Sequence, residues 1–266
     1  MNWKYISSSV KGTSHEATNT PKQDNYKACI FTIKGNNYLV CAVADGAGSA
    51  KHSDISSNFI CKLFLRKAKL WLENNSIKTI TREVIIEWFT YFQKVMLRTV
   101  ALYKLDSIRD LATTLLFSII SETHNVFVQI GDGIITTNKE NNMECIFIPQ
   151  NGEFLNTTNF ATQDNVKDIF MFKTTNEPVN KIAMHTDGIE QIAFDFANQK
   201  PFTPFFTPFF NAVEKLEDFG YSEKLSKQLE MFLQSDRVNK KTDDDKTLFI
   251  AVACSIPNSE VEQANE

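Results

Sequence analysis

Carboxylates gather where short hydrophobic runs stop. Leu39–Ala44 runs into Asp45-Gly46, Val126–Ile130 into Gly131-Asp132-Gly133, and Ile182–Thr186 into Asp187-Gly188. The cluster Asp243-Asp244-Asp245 leads into a further run, Thr247–Ala253. A carboxylate at a strand end points out of its sheet, and a following glycine allows a tight turn there. Several such ends can converge on a hard cation, because oxygen ligands suit Mg2+ or Mn2+. One Asp-Gly pair is merely a turn. Four carboxylate sites at strand ends are more than turns require.

The elements that must hold these carboxylates follow from hydrophobic period. Trp3–Ser9 has the pattern of an opening strand, followed by a polar loop over Lys11–Asn25. Tyr26–Ile33 and Tyr38–Ala44 flank Lys34-Gly35-Asn36-Asn37, a hairpin signal. The apolar spacing then lengthens to that of an amphipathic helix through Ile55, Phe59, Ile60, Leu63, Phe64 and Leu70. A second helix is expected with Val84, Ile85, Trp88, Phe89, Phe92, Val95, Met96 and Leu102 on one face. Strands are predicted over Ala112–Ser121, Val126–Ile130, Ile134–Thr137, Cys145–Pro149, Val166–Lys173, Lys181–Thr186 and Lys246–Cys254. Gln150–Asn165 is polar and is expected to be an excursion beside the site. Helices are predicted over Ile189–Asn198, Phe205–Phe219 and Ser222–Gln234. The segment Pro201–Phe210, with its two Pro-Phe-Phe repeats, is expected to be a proline-started helix packing its phenylalanines inward rather than an exposed patch. Hairpins instead of strand-helix-strand alternation argue for antiparallel sheets with helices segregated outside, an α+β arrangement.

Composition excludes several classes. With 266 residues, 42% hydrophobic and 22 phenylalanines, the chain can bury a substantial core. A formal net charge of −4 gives no global basic field for nucleic acid or an acidic membrane surface. The five cysteines show no Cys-x-x-Cys spacing and lie in apolar runs, so buried reduced thiols are expected. There is no apolar stretch of membrane-span length and no signal-peptide core near Met1, so a soluble, cytoplasmic protein is expected. Residues 1–256 are expected to form a single domain, with Pro257–Glu266 as a charged mobile tail.

Six motifs, in order along the chain, resemble the metal-dependent protein phosphatases of the type 2C class. They are Gln23-Asp24, Val43-Ala44-Asp45-Gly46-Ala47-Gly48, Ala112-Thr113-Thr114-Leu115-Leu116, Ile130-Gly131-Asp132-Gly133, Thr186-Asp187-Gly188 and Asp244-Asp245-Lys246-Thr247. Gly12-Thr13-Ser14-His15, Asp45-Gly46-Ala47-Gly48-Ser49-Ala50 and Asn156-Thr157-Thr158 look most like a bacterial branch. The resemblance implies a four-layer sandwich, two antiparallel β-sheets flanked by paired α-helices, with a metal centre at one end. It implies two Mn2+ or Mg2+ ions held by positions matching Asp45, the Gly46 carbonyl, Asp187 and Asp244, and a third, weaker ion at Asp132 and Asp187. Asp243 is the alternative to Asp244. Asp24 matches a residue that binds metal-coordinated water, which makes Asp45, Asp187 and Asp24 the expected catalytic set.

Two departures stand out. Ala47 replaces a histidine that many members use as general acid, and Asn19 lies near the place of an arginine that clamps substrate phosphate. Asparagine lacks the charged fork of arginine, and Lys22 or His15 could substitute. Each also has a plain reading, as a solvated lysine and a loop histidine. His185, inside an apolar strand, is expected in the core or behind the site, and His52 and His124 need no role. The implied activity is hydrolysis of phosphoserine and phosphothreonine on proteins, opposing a Ser/Thr kinase in bacterial signalling. The rivals are a weakly catalytic phosphoprotein-binding member and a phosphatase for a small metabolite.

Overall fold

The computed structural model describes residues 1–139, 142–148 and 158–254. The chain opens with β1 (Asn2–Val10), the short helix α1 (Thr13–Ala17) and the hairpin β2 (Asn25–Ile33) and β3 (Asn36–Ala44). Helices α2 (Ser53–Asn74) and α3 (Arg82–Tyr103) follow, then β4 (Leu115–Ile120), β5 (Asn125–Ile130), β6 (Ile134–Lys139) and β7 (Asn142–Cys145). A helical turn α4 (Val166–Ile169), β8 (Met171–Thr175) and β9 (Lys181–His185) lead to α5 (Glu190–Ala193) and the small hairpin β10 (Phe194–Asp195) and β11 (Lys200–Pro201). The chain continues through α6 (Thr203–Glu214), β12 (Gly220–Tyr221), α7 (Glu223–Leu233), α8 (Asp236–Asn239) and β13 (Lys246–Cys254).

Two sheets result, in the orders β12-β1-β13-β9-β6-β7 and β2-β3-β4-β5-β8. Every pairing is antiparallel except the two-residue contact of β1 with β12. The central strands are buried on both faces, which is why their hydrophobic runs are continuous instead of alternating. In β3, Leu39, Cys41 and Val43 face the other sheet, meeting Met184, Phe249 and Ala251. Val40, Ala42 and Ala44 face α2 and α3, packing with Phe64, Phe89 and Phe117. In β13, Leu248, Ile250 and Val252 turn outward onto Phe206, Phe210 and Leu229 of α6 and α7. The layers are therefore helix pair, sheet, sheet, helix pair, as the family resemblance implied. Each fully buried Phe or Leu here contributes about 1.5–3 kcal/mol of burial. Among the described residues, no helix is long and apolar enough to cross a membrane.

Several boundaries differ from expectation for identifiable reasons. Val166–Ile169 is a helical turn, not strand, because the Arg82 guanidinium gathers the carbonyls of Lys167 (3.0 Å) and Phe170 (3.1 Å). The helix expected over Ile189–Asn198 stops at Ala193, where Asp195 accepts bonds from the Asn198 backbone (3.1 Å) and side chain (2.8 Å) and closes the β10–β11 turn. The strand placed at Cys145–Pro149 is Asn142–Cys145, whose Cys145 pairs with Thr136 and Asn142 with Lys139 of β6. Helix α6 ends at Glu214, where Lys4 Nζ binds the Glu214 and Leu216 carbonyls. Phe206 and Phe210 do pack inward, while Phe202 stays exposed, as do Leu70 and Leu102 on the long helices. Only Cys41 and Cys61 are buried; Cys29, Cys145 and Cys254 are partly accessible, and all five are free thiols. The charged tail at 257–266 lies outside the described residues.

Candidate metal centre

Register brings the acidic motifs to one end of the sandwich. Ala44 pairs with Asn25, Leu115 with Ile130, Ile134 with His185, and Val10 with Lys246. Each of these pairs is a strand terminus at the same rim, so the segments beyond them meet. Asp45 leaves β3, Asp132 lies between β5 and β6, Asp187 follows β9, and Asp243–Asp245 precede β13. Carboxylate oxygens of Asp45, Asp132 and Asp187 lie within 4.8 Å of one another.

The threonines before β4 fix the backbone of Asp45. Its N–H donates to Thr114 Oγ1 (2.9 Å), and its carbonyl accepts from Thr113 Oγ1 (3.0 Å) and Thr114 N (2.8 Å). The expected strand Ala112–Ser121 therefore starts only at Leu115, because its first residues cradle Asp45. The motif glycines differ from the turn role expected of them: of Gly46, Gly131, Gly133 and Gly188, only Gly131 has a positive φ (105°). Close approach is what the others require. A Cβ on Gly188 would sit 1.8 Å from the Asp245 carbonyl oxygen, and one on Gly46 would sit 2.7 Å from Ser53 Cβ.

Asp24 is buried, and its charge acts on Asp45. Its Oδ2 accepts from Thr186 Oγ1 (2.8 Å) and Thr247 Oγ1 (2.7 Å), whereas its buried Oδ1 has no partner. Burial first, then the Asp245 and Asp187 charges, push its pKa up to about 7 against the pull of the two threonines. Asp187 is likewise raised to about 7, by burial and then by Asp132 and Asp244. Burial, followed by Asp24, Asp187, Asp244 and Asp132, holds Asp45 well above its ordinary value. Among the described residues, none of these carboxylates has a Lys, Arg or His ion-pair partner. A set of crowded, mutually repelling carboxylates, with buried Asp24, its Oδ1 unpartnered, among the charges that act on Asp45, fits divalent cations.

The Asp243–Asp245 cluster divides its labour. The Asp243 carbonyl anchors α1 through Ser14 N (2.9 Å) and Oγ (2.8 Å). Asp244 lies at the rim; partial burial and then Asp245 raise its pKa, and its charge is felt by both Asp45 and Asp187. Asp245, buried, accepts from the backbone N–H groups of Gly12 (2.7 Å), Gln23 (2.5 Å) and Asp24 (3.3 Å). His15 Nδ1 stands 3.0 Å from Asp245 Oδ1, and His15, Asp244 and Asp245 form a second compact group.

Of the residues expected to contact phosphate, His15 thus faces Asp245. Lys22 donates to Ser9 Oγ and to the Asp24 carbonyl (2.7 Å), and it lines a pocket containing none of the clustered aspartates. His185 packs on Phe206 with its ring centroid 6.0 Å away, and burial lowers its pKa to about 4, in keeping with a core role. Ala47 offers only backbone, its N–H bonded to the Ala112 carbonyl (3.0 Å). Asn19 adopts a left-handed φ of 54°.

Sequence reasoning passed over several neighbours. Glu190, one turn past Asp187, has its pKa raised to about 7 by burial, then by Asp187 and Asp132. Thr158 donates to Asp132 Oδ2 at 2.5 Å, so the described end of the polar excursion does reach the site. Lys246 is fully buried, its ammonium joining Asn239 Oδ1 (3.0 Å) to the Asp244 carbonyl (3.2 Å). A signal for Thr186 and Thr247 existed: each stands at a strand end beside an acidic motif.

Comparison with known proteins bears on the family and the fold. A sequence model of the family described as protein phosphatase 2C matches residues 11–234. Serine/threonine-protein phosphatase 3 of Escherichia coli K12 is 32% identical over 267 residues, covering 95% of this chain and 99% of that protein. The catalytic domain of the serine/threonine protein phosphatase PstP, in complex with two manganese ions, superposes with a TM-score of 0.62 at 12% identity, over 96% of this chain and 99% of that one. A serine/threonine phosphatase of S. agalactiae gives 0.59 at 14% identity, over 95% and 100%.

Proposed function

The chain belongs to the protein phosphatase 2C family, and on that premise we propose that it is a Mn2+- or Mg2+-dependent enzyme hydrolysing phosphoserine and phosphothreonine on proteins. The observation that carries this reading is the convergence of Asp45, Asp132 and Asp187 within 4.8 Å, none of them ion-paired to a Lys, Arg or His among the described residues. In this proposal Asp45, the Gly46 carbonyl, Asp187 and Asp244 hold two ions, and Asp132 with Asp187 holds a third more weakly. Bound divalent ions acidify water and neutralise phosphoryl oxygens.

The chain's own residues do the positioning. Thr186 and Thr247 occupy Oδ2 of Asp24, which leaves Oδ1 to accept a hydrogen bond from a water at the centre. Asp245 fixes the Gly12, Gln23 and Asp24 backbone that carries this carboxylate, and Lys246 pins the Asp244 backbone from beneath. The preferred substrate is a phosphorylated protein of a bacterial Ser/Thr kinase system, in the cytoplasm, and the working unit is a single domain over residues 1–256. The rival, a weakly catalytic phosphoprotein-binding module, is favoured by one observation: Asn19 supplies no charged clamp.

A phosphothreonine peptide, a phosphotyrosine control and p-nitrophenyl phosphate, each assayed with Mn2+ and with EDTA, separate these readings. The enzyme reading expects turnover of the phosphothreonine peptide with Mn2+ and none in EDTA. Binding of the peptide without turnover under all conditions supports the rival.

A further inference from the structure

Along one side of the sandwich the two sheets part, and a pocket of about 620 Å3 opens between β1, β2 and α7. None of the clustered acidic residues lines it. Two groups in its wall lack the partner their chemistry calls for. The Lys22 ammonium reaches Ser9 Oγ and the Asp24 carbonyl, yet among the described residues it makes no ion pair. Ser7 is 2% exposed, and its buried hydroxyl has no hydrogen-bond partner. Lys27, an exposed residue of β2, lines the same space and has no ion pair among the described residues.

The pocket's carboxylates do not supply the missing charge. Glu223 is held by Lys227 at 2.9 Å, and Glu230 lies farther along α7, with no ion pair to either lysine. Lys22, Lys27 and Lys227 therefore outnumber Glu223 and Glu230 by one. The half-buried Lys22 ammonium is hydrogen-bonded only to neutral oxygens, with Asp24 and Asp245 acting on it through space, and a buried hydroxyl without a partner is costly. We propose that this pocket is a second, non-catalytic site for the tetrahedral oxyanion of a small ligand, a phosphate or sulfate group, held by Lys22, Lys27 and Ser7. The donors come from three separate segments as single points and not as a planar fork, which suits a tetrahedral anion better than a carboxylate.

The site is wired to the metal centre. Ser9 Oγ lies 2.8 Å from Thr247 Oγ1, which lies 2.7 Å from Asp24 Oδ2. An oxyanion that draws the Lys22 ammonium away from the Asp24 carbonyl thus acts on the residue whose free oxygen faces the centre.

The test is calorimetric titration of the full chain in EDTA with inorganic phosphate, with acetate as the planar control. Without metal the acidic cluster repels anions, so binding reports the pocket whether or not the protein is a phosphatase. One saturable site is expected, weaker for acetate. Ser7→Ala and Lys27→Glu, both checked for folding by circular dichroism, should each weaken phosphate binding by about tenfold, the worth of one charge-assisted hydrogen bond. The absence of saturable binding, retention of full affinity in both variants, or tighter binding of acetate overturns the proposal.

Discussion

Replacing Asp45 with asparagine should make the metal-free chain more stable. The folded chain holds this carboxyl well above its ordinary value of 3.8, through burial first and then four neighbouring aspartates. In the unfolded chain the group ionises freely. A raised folded pKa gives stability that is present in full below the unfolded pKa and lost as pH rises toward the folded one. At about 1.4 kcal/mol per pH unit, the span of roughly three units between 3.8 and neutrality costs the wild-type chain at most about 4 kcal/mol at about pH 7. Asparagine keeps the shape and ionises in neither state, so it escapes that cost. Urea unfolding in EDTA should show Asp45→Asn more stable by up to about 4 kcal/mol at about pH 7, with the difference shrinking toward zero at about pH 4. His185, whose buried imidazole titrates in the opposite sense, is common to both chains and cancels. The gain in melting temperature on adding Mn2+ should shrink in the variant. A variant less stable than wild type by the same amount at both pH values would refute the reasoning, because Asp45 would then be stabilising and not crowded.

Asp245→Asn sets amide hydrogens against the backbone donor of Gly12 or against those of Gln23 and Asp24 and should cost about 2–4 kcal/mol in urea unfolding, whereas Asp244→Asn should leave metal-free stability level or higher. Gly188→Ala drives a Cβ to 1.8 Å from the Asp245 carbonyl and should cost more than about 3 kcal/mol while weakening Mn2+ binding by calorimetry.

Strand ends and long helices were legible because their signals are local. The runs before Asp45, Asp132 and Asp187 are strands buried on both faces, and α2 and α3 carry a helical period over 22 residues each. Short elements were not legible. Val166–Ile169 is helical because Arg82, more than sixty residues away in sequence, binds its carbonyls. Convergence of the acidic motifs followed from antiparallel pairing, but the separate roles of Asp243, Asp244 and Asp245 did not. Three adjacent aspartates look alike until the Gly12, Gln23 and Asp24 amides are seen to claim the third. Lys22 appeared as a loop lysine near the site, and only tertiary packing turns it toward Ser9 and a separate pocket. Glu190 had no signal, since its altered acidity comes wholly from burial and from Asp187 and Asp132.

The most direct test is anomalous diffraction from crystals of the chain soaked in Mn2+, because it locates the ions without reference to any substrate. The account predicts two strong peaks sharing Asp45, one beside Asp187 and one toward Asp244, each with oxygen ligands, and a weaker peak between Asp132 and Asp187. Peaks confined to His15, Asp244 and Asp245, or no peak among Asp45, Asp132 and Asp187, would contradict it.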